Sequence, residues 1–181
     1  MGSLADEHGG EQLLGDRGGH LGRDGPFSEI ADRLLATGAG GRNVAPYASV
    51  TVSSVLRAGA EGGKAVGGRC SDDSPWVSAE DDTTPVITVG LGRSYPISEI
   101  RVRSGYGKAP GPGTGVVRSL AVEAHTTSGW QRVATITGNT ANTVRVPASV
   151  TAGQVRLAIS DPSGNPLDVA RVYEIEVVSD D

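Results

Sequence analysis

Two runs of carboxylates, Asp72-Asp73 and Glu80-Asp81-Asp82, are the residues here whose type and spacing most invite chemistry. Paired carboxyl groups can divide acid and base work on a glycosidic bond. That division needs one of them in an apolar cleft, where its pKa rises. No such cleft is visible around either run, so both read as solvated or ion-binding loops. His125 is isolated, and His8 and His20 lie far from it in a glycine-rich leader. Zinc wants clustered His and Cys, and no such cluster is spelled. Cys70 is the single cysteine, which rules out an intramolecular disulfide and reads as a small filler rather than a nucleophile. The G-x-S-x-G elbow is absent. Gly62-Gly63-Lys64-Ala65 fails as a phosphate loop: Ala58 stands at its leading glycine and Ala65 at its metal-binding hydroxyl. Gly38-Ala39-Gly40-Gly41-Arg42-Asn43 fails the dinucleotide pattern at its last position. No complete active site emerges, and the expectation is a chain that binds rather than catalyses.

The elements that would carry a binding surface are strands. From Asn43 the apolar residues recur at every second position. Ile87, Val89 and Leu91 share a face, as do Ile100 and Val102, then Leu120, Val122 and Ala124. Val144 and Val146 flank Arg145; Val155, Leu157 and Ile159 alternate with Arg156 and Ala158. Tyr173, Ile175 and Val177 alternate with Glu174 and Glu176, which predicts a core face and a wet face. Turn residues punctuate these runs at Leu91-Gly92-Arg93, Ser128-Gly129, Gly138-Asn139, Ala152-Gly153 and Asp161 to Pro166. The pattern predicts an all-β, antiparallel β-sandwich or jelly roll. Residues 1–42 differ. Seven glycines among charges between positions 9 and 25 predict that residues 1–25 are a flexible leader. Phe27, Ile30, Ala31, Leu34 and Leu35 fall at helical spacing, which predicts one short helix near 26–36 and then a linker.

Composition narrows the partners. Aromatics are only 4 % and the formal net charge is −5 with both signs interspersed. No basic stripe invites nucleic acid, and an acidic chain does not dock on anionic lipid by charge. No apolar run is long enough to span a membrane as a helix. The first residues show no secretory-signal pattern.

The ordered fragments from Asn43 resemble the discoidin family, also called coagulation factor 5/8 type C domains, and within it the bacterial family 32 carbohydrate-binding modules. Asn43-Val44-Ala45 with Ser49-Val50-Thr51 is similar to the family's opening. Ala65-Val66-Gly67-Gly68 followed by Trp76-Val77-Ser78 resembles its "Ala-x-Asp-Gly … Trp-x-Ser". Val86 to Gly92 with Tyr95-Pro96-Ile97 resembles "Ile-x-Val-Asp-Leu-Gly … Tyr-x-Ile". Gly129-Trp130-Gln131-Arg132-Val133, Val155-Arg156-Leu157 and Tyr173-Glu174-Ile175-Glu176-Val177 match its later strands. The resemblance implies an eight-stranded jelly roll of galactose-binding-like fold over 43–179. It implies a secreted accessory module that holds polysaccharide or glycan beside a covalently linked catalytic domain. The alternative it leaves open is a structural module without a ligand, or one for protein or cell-surface adhesion.

It also implies sites. Relatives hold one structural calcium beside the "Asp-Gly" loop and the closing-strand Glu. Here Glu174 matches that Glu, Gly67 replaces the Asp, and Asp72 or Asp73 is the candidate substitute from an enlarged loop. The plainer alternative for Glu174 is a surface carboxylate paired with Arg171. Sugar contacts are expected on the loop 104–115, from Tyr106 and Lys108, with Arg69 and Asn165 at the same end. The plainer reading of Tyr106 is a ring that caps the sandwich edge. Trp76 and Trp130 match positions that pack in or beside the core.

Overall fold

The computed structural model describes residues 41–46, 48–69, 74–106, 114–163 and 168–181. The leader and the helix expected near 26–36 lie outside them, as do Cys70, Asp72, Lys108 and Asn165.

Eight strands form: β1 (Arg42–Asn43), β2 (Ser49–Val52), β3 (Trp76–Val77), β4 (Val86–Ser104), β5 (Ser119–Thr126), β6 (Gly129–Ile136), β7 (Thr143–Asp161) and β8 (Arg171–Ser179). A short 3-10 turn, Gly62–Val66, interrupts the segment between β2 and β3. Every strand pair is antiparallel.

Two strands of 19 residues, β4 and β7, organise the rest. They pair with each other from Val86↔Ala158 to Arg103↔Thr143, with register breaks between Gly90 and Tyr95 and between Ile97 and Glu99. The first half of β4 lies between β2 and the second half of β7, which continues into β5 and then β6. The second half of β4 lies between the first half of β7 and β8, whose other edge carries β1 and β3. The paired ribbon therefore folds over on itself into two layers: a five-stranded one, β2-β4-β7-β5-β6, and one of β7, β4 and β8 that the short β1 and β3 extend. The expected turns at Leu91-Gly92-Arg93 and Ala152-Gly153 are instead this corner. Both strands round it together, with Gly92 at φ +79°. A break in register lets a strand bend without ending.

The alternating residues close the core between the layers. Ile87, Val89, Leu120, Val122, Val155 and Leu157 from one layer meet Ile100, Val102, Val146, Ile175 and Val177 from the other in one cluster. Trp76 is fully buried in it, and its indole N–H is satisfied by the Ser54 carbonyl at 3.0 Å. The expected wet face of β8 is not wet. Glu174 is 1 % exposed and Glu176 is also buried. The 3-10 turn and the Gly68 loop that follows it pack against β8 as well, so its carboxylates need partners. Glu176 accepts from Arg101 Nη1 at 3.2 Å, and Arg101 is held by Glu99 at 2.6 Å.

Folding the ribbon returns its two tips to one end. Ser104 N–H donates to Asn142 O at 2.8 Å, and Val117 N–H donates to Ser104 Oγ at 3.1 Å. Arg118 N–H donates to Asp161 O at 3.0 Å, and Ile159 N–H to Pro85 O at 2.9 Å. This loop end lies opposite the corner.

Gly105 leaves β4 at the loop end with φ +81°, and an added Cβ would stand 2.6 Å from Val116 Cγ1 and 2.8 Å from Thr114 O. Gly105→Ala is expected to cost about 1–3 kcal/mol in urea unfolding, from the strained backbone and the clash together. An unchanged unfolding midpoint would show that the loop relaxes freely.

Candidate functional site

Tyr106 is placed by its backbone, one residue beyond that glycine. Its N–H donates to Thr114 O at 2.9 Å, which closes the described base of the loop. Asn142 Nδ2 donates to Ser104 O at 2.8 Å and to Tyr106 O at 3.1 Å. Gly105 N–H donates to Arg171 O at 3.1 Å and so ties the loop to the start of β8. The Arg171 guanidinium carbon then sits 4.5 Å from the centre of the Tyr106 ring. A half-buried aromatic ring with a cation over it is the result. Such a pair offers an apolar surface to a pyranose ring and N–H donors to its hydroxyls.

Asn139 steadies the neighbouring loop. Its Nδ2 donates to Val117 O at 2.8 Å and Ala141 O at 2.9 Å, while its N–H donates to Arg118 O at 2.8 Å. Sequence reasoning marked Gly138-Asn139 as a turn and named neither Asn139, Asn142 nor Arg171 for this site. Two asparagines three apart in one turn were the available signal, since each can bridge backbone carbonyls.

β8 also brings in the expected metal-side residues. Gly68 N–H donates to both oxygens of Glu174, at 3.2 and 3.0 Å. Gly67 is right-handed and Gly68 left-handed at φ +68°, a sequence of conformations that aims N–H groups at an anion. Glu174 is thus a buried, hydrogen-bonded carboxylate, which overturns the surface-pair alternative. Arg69 follows Gly68 and is exposed. Glu174 holds the preceding Gly68, while Arg171, three residues before Glu174 on β8, covers the Tyr106 ring. Lys108, Asn165 and Asp72 lie outside the described residues.

A calcium ion takes six to eight oxygen ligands. Among the described residues, no group of three or more His, Cys, Asp or Glu stands together to share a metal. What faces Glu174 from the Gly67-Gly68 loop is an N–H donor, the partner of an anion rather than a fellow ligand. The described part of this site does not fit the ion that the resemblance implies.

The Glu80-Asp81-Asp82 run has a structural job. Asp82 Oδ2 accepts from Ser53 Oγ and from Ser54 Oγ, both at 2.5 Å, and Oδ1 accepts Thr84 N–H at 3.2 Å. Ser54 Oγ in turn accepts Ala79 N–H at 3.0 Å. Asp82 latches the segment after β2 to the segment before β4. Burial alone would raise its pKa, but the two hydroxyls and the Thr84 N–H hold it below the ordinary carboxylate value.

A family 32 carbohydrate-binding module of Streptococcus pneumoniae EndoD superposes with TM-score 0.66 at 17 % identity, covering 75 % of this chain and 98 % of that one. A chitosan-binding module 1 from a chitosanase/glucanase of Paenibacillus sp. IK-5, in a selenomethionine-labelled mutant form, gives TM-score 0.61 at 25 % identity, covering 77 % and 99 %. The family 32 module of Clostridium perfringens NanJ, solved with galactose, gives TM-score 0.62 at 14 % identity, covering 77 % and 98 %. No protein-family model and no curated protein sequence matches the chain. The fold is the discoidin-like sandwich of the family 32 modules.

Two outcomes follow from these contacts. An unfolded carboxyl titrates near pH 4, and the folded Asp82 titrates lower. Its contribution is therefore complete above about pH 4 and lost as pH falls through the lower folded value. Asp82→Asn is expected to reduce Tm at neutral pH and to flatten the loss of Tm on acidification; an identical pH profile would remove Asp82 as the latch. Because an N–H already answers Glu174, excess chelator is expected to leave Tm unchanged. A clear fall in Tm with chelator, restored by calcium, would instead place an ion between Glu174 and Asp72.

Proposed function

We propose that this chain is a non-catalytic carbohydrate-binding module, an accessory to a covalently linked catalytic domain in a secreted protein, and that its sugar sits at the loop end. The carrying observation is the Tyr106 ring with Arg171 over it, anchored by Asn142 and Gly105 at the end of the sandwich where the loops gather. The sandwich is shared with modules whose solved structures include one holding galactose. Nothing in this arrangement transfers a proton or forms a bond. The Tyr106 ring contributes apolar area, and guanidinium and loop amides would answer the hydroxyls. Affinity for one sugar unit is expected to be weak, and such a module works by raising the local concentration of its tethered partner on a polymer. Secretion and the catalytic partner rest on the resemblance alone. No helix among the described residues is long and apolar enough to cross a membrane.

A second reading, a module that buttresses a catalytic domain without a ligand, draws on one observation: Arg171 already covers one face of the Tyr106 ring. Calorimetry and a glycan array covering galactose, glucuronate, fucose, N-acetylglucosamine and arabinose polymers separate the two. Binding to at least one is expected, with Tyr106→Ala weakening it about tenfold, the equivalent of about 1.4 kcal/mol. Silence across the whole set would favour the buttress.

A further inference from the structure

The outward face of the five-stranded layer carries a surface that the loop end does not use. Strand register fixes which side chains share it. Trp130 on β6 lies opposite His125 on β5, His125 opposite Gln154 on β7, and Gln154 opposite Gly90 on β4. Two residues along the strands, Arg132 lies opposite Glu123, Glu123 opposite Arg156, and Arg156 opposite Thr88. Two rows thus cross four strands, about 7 Å apart and each about 14 Å long. Neither row holds an aliphatic side chain.

Trp130 does not point away from the sheet edge; it leans over β5. The Arg156 guanidinium carbon is 4.2 Å from the centre of its ring, although their strands are not neighbours. His125 meets the same ring edge to face, with centroids 5.0 Å apart. Glu123 beneath them is buried and answers both arginines, Arg156 Nε at 2.5 Å and Arg132 Nη2 at 3.2 Å. Two guanidinium groups against one carboxylate leave this patch positive on a chain of net charge −5. The Arg132 side chain is 60 % exposed, so it can reach an incoming anion.

These rows suit a particular kind of partner. A protein partner would meet an aromatic anchor ringed by apolar side chains that keep water out, and the rows provide no such ring. A polymer rich in hydroxyl groups needs an aromatic face for its ring carbons, amide and hydroxyl groups for its edges, and a cation for any acid it bears. Trp130, Gln154, Thr88 and Arg132 supply those on this face, and Ser49 Oγ of β2 fills the space beside Gly90. We propose that this face is a second glycan surface, one that takes an extended acidic polysaccharide of the polyuronate class running across the strands. It goes beyond the loop-end site and shares no residue with it, since Trp130 follows the Thr126–Gly129 turn at the opposite end of β5.

The test uses the full chain with polygalacturonate and, as neutral control, galactan, by calorimetry at low and high salt. Polygalacturonate is expected to bind with an affinity that falls steeply with salt, because the contact is a solvent-exposed cation. Arg132→Gln and Trp130→Ala are each expected to weaken it by about tenfold. Tyr106→Ala is expected to leave it unchanged, which separates failure here from failure at the loop end. If Trp130→Ala does not fold, Arg132→Gln decides alone, because an exposed arginine is dispensable to the core. No binding of polygalacturonate, galactan binding that Trp130→Ala and Arg132→Gln weaken as much as they weaken polygalacturonate binding, or loss of polygalacturonate binding with Tyr106→Ala would each overturn the proposal.

Discussion

The pairing of β4 with β7 along their whole length is the constraint on which the structure depends. One ribbon supplies the centre of both layers, so the core can form only if the ribbon folds at the corner between Gly90 and Tyr95. The same fold decides where loops can be. It returns Ser104, Arg118, Asn142 and Asp161 to one end and leaves the corner at the other. A recognition site made of loops is therefore confined to a single end by the strand pairing itself. Everything outside that end must recognise, if at all, with the flat faces of the sheets.

Those faces explain how a chain with few aromatics manages buried charge. Arg101 lies under the outer face of the layer that holds β8, with its Nε and Nη2 on Glu99 and its Nη1 on Glu176. Arg145 reaches Glu99 from β7 at 3.4 Å. The Arg101 guanidinium holds the Glu99 pKa down, more than burial lifts it. On the other layer Glu123 sits between Arg132 and Arg156. Each buried carboxylate is answered by a guanidinium or an N–H, as a low-dielectric site demands. These cross-strand ladders fix register as well as charge, because a slip of one residue would set each acid on the wrong face.

Much of this was legible in the residues. Period-two alternation marked Ile87 to Leu91, Leu120 to Ala124 and Val155 to Ile159 as half-buried strands, and each is, except that Glu123, expected on a wet face, is buried between two arginines. It misplaced Glu174 and Glu176, because alternation reports one covered face and β8 has two. It read Gly92 and Gly153 as strand ends, because glycine marks a turn and a corner alike. Tyr106 was legible as the aromatic of its loop. Arg171 was not, because the contact that matters joins residues 65 apart in sequence and depends on a glycine with positive φ. The sheet-face rows could not be seen at all without register, which no local pattern of Trp130, His125 or Arg156 contains.

The account stands on recognition at the loop end by an anchored tyrosine and arginine. Amide chemical-shift mapping of the labelled chain, titrated with a sugar that the array selects, tests this most directly. Shifts concentrated at Gly105, Tyr106, Asn142 and Arg171 are the result the account requires. Saturating shifts confined to the corner around Tyr95 and Gly153, with the loop end silent, would contradict it.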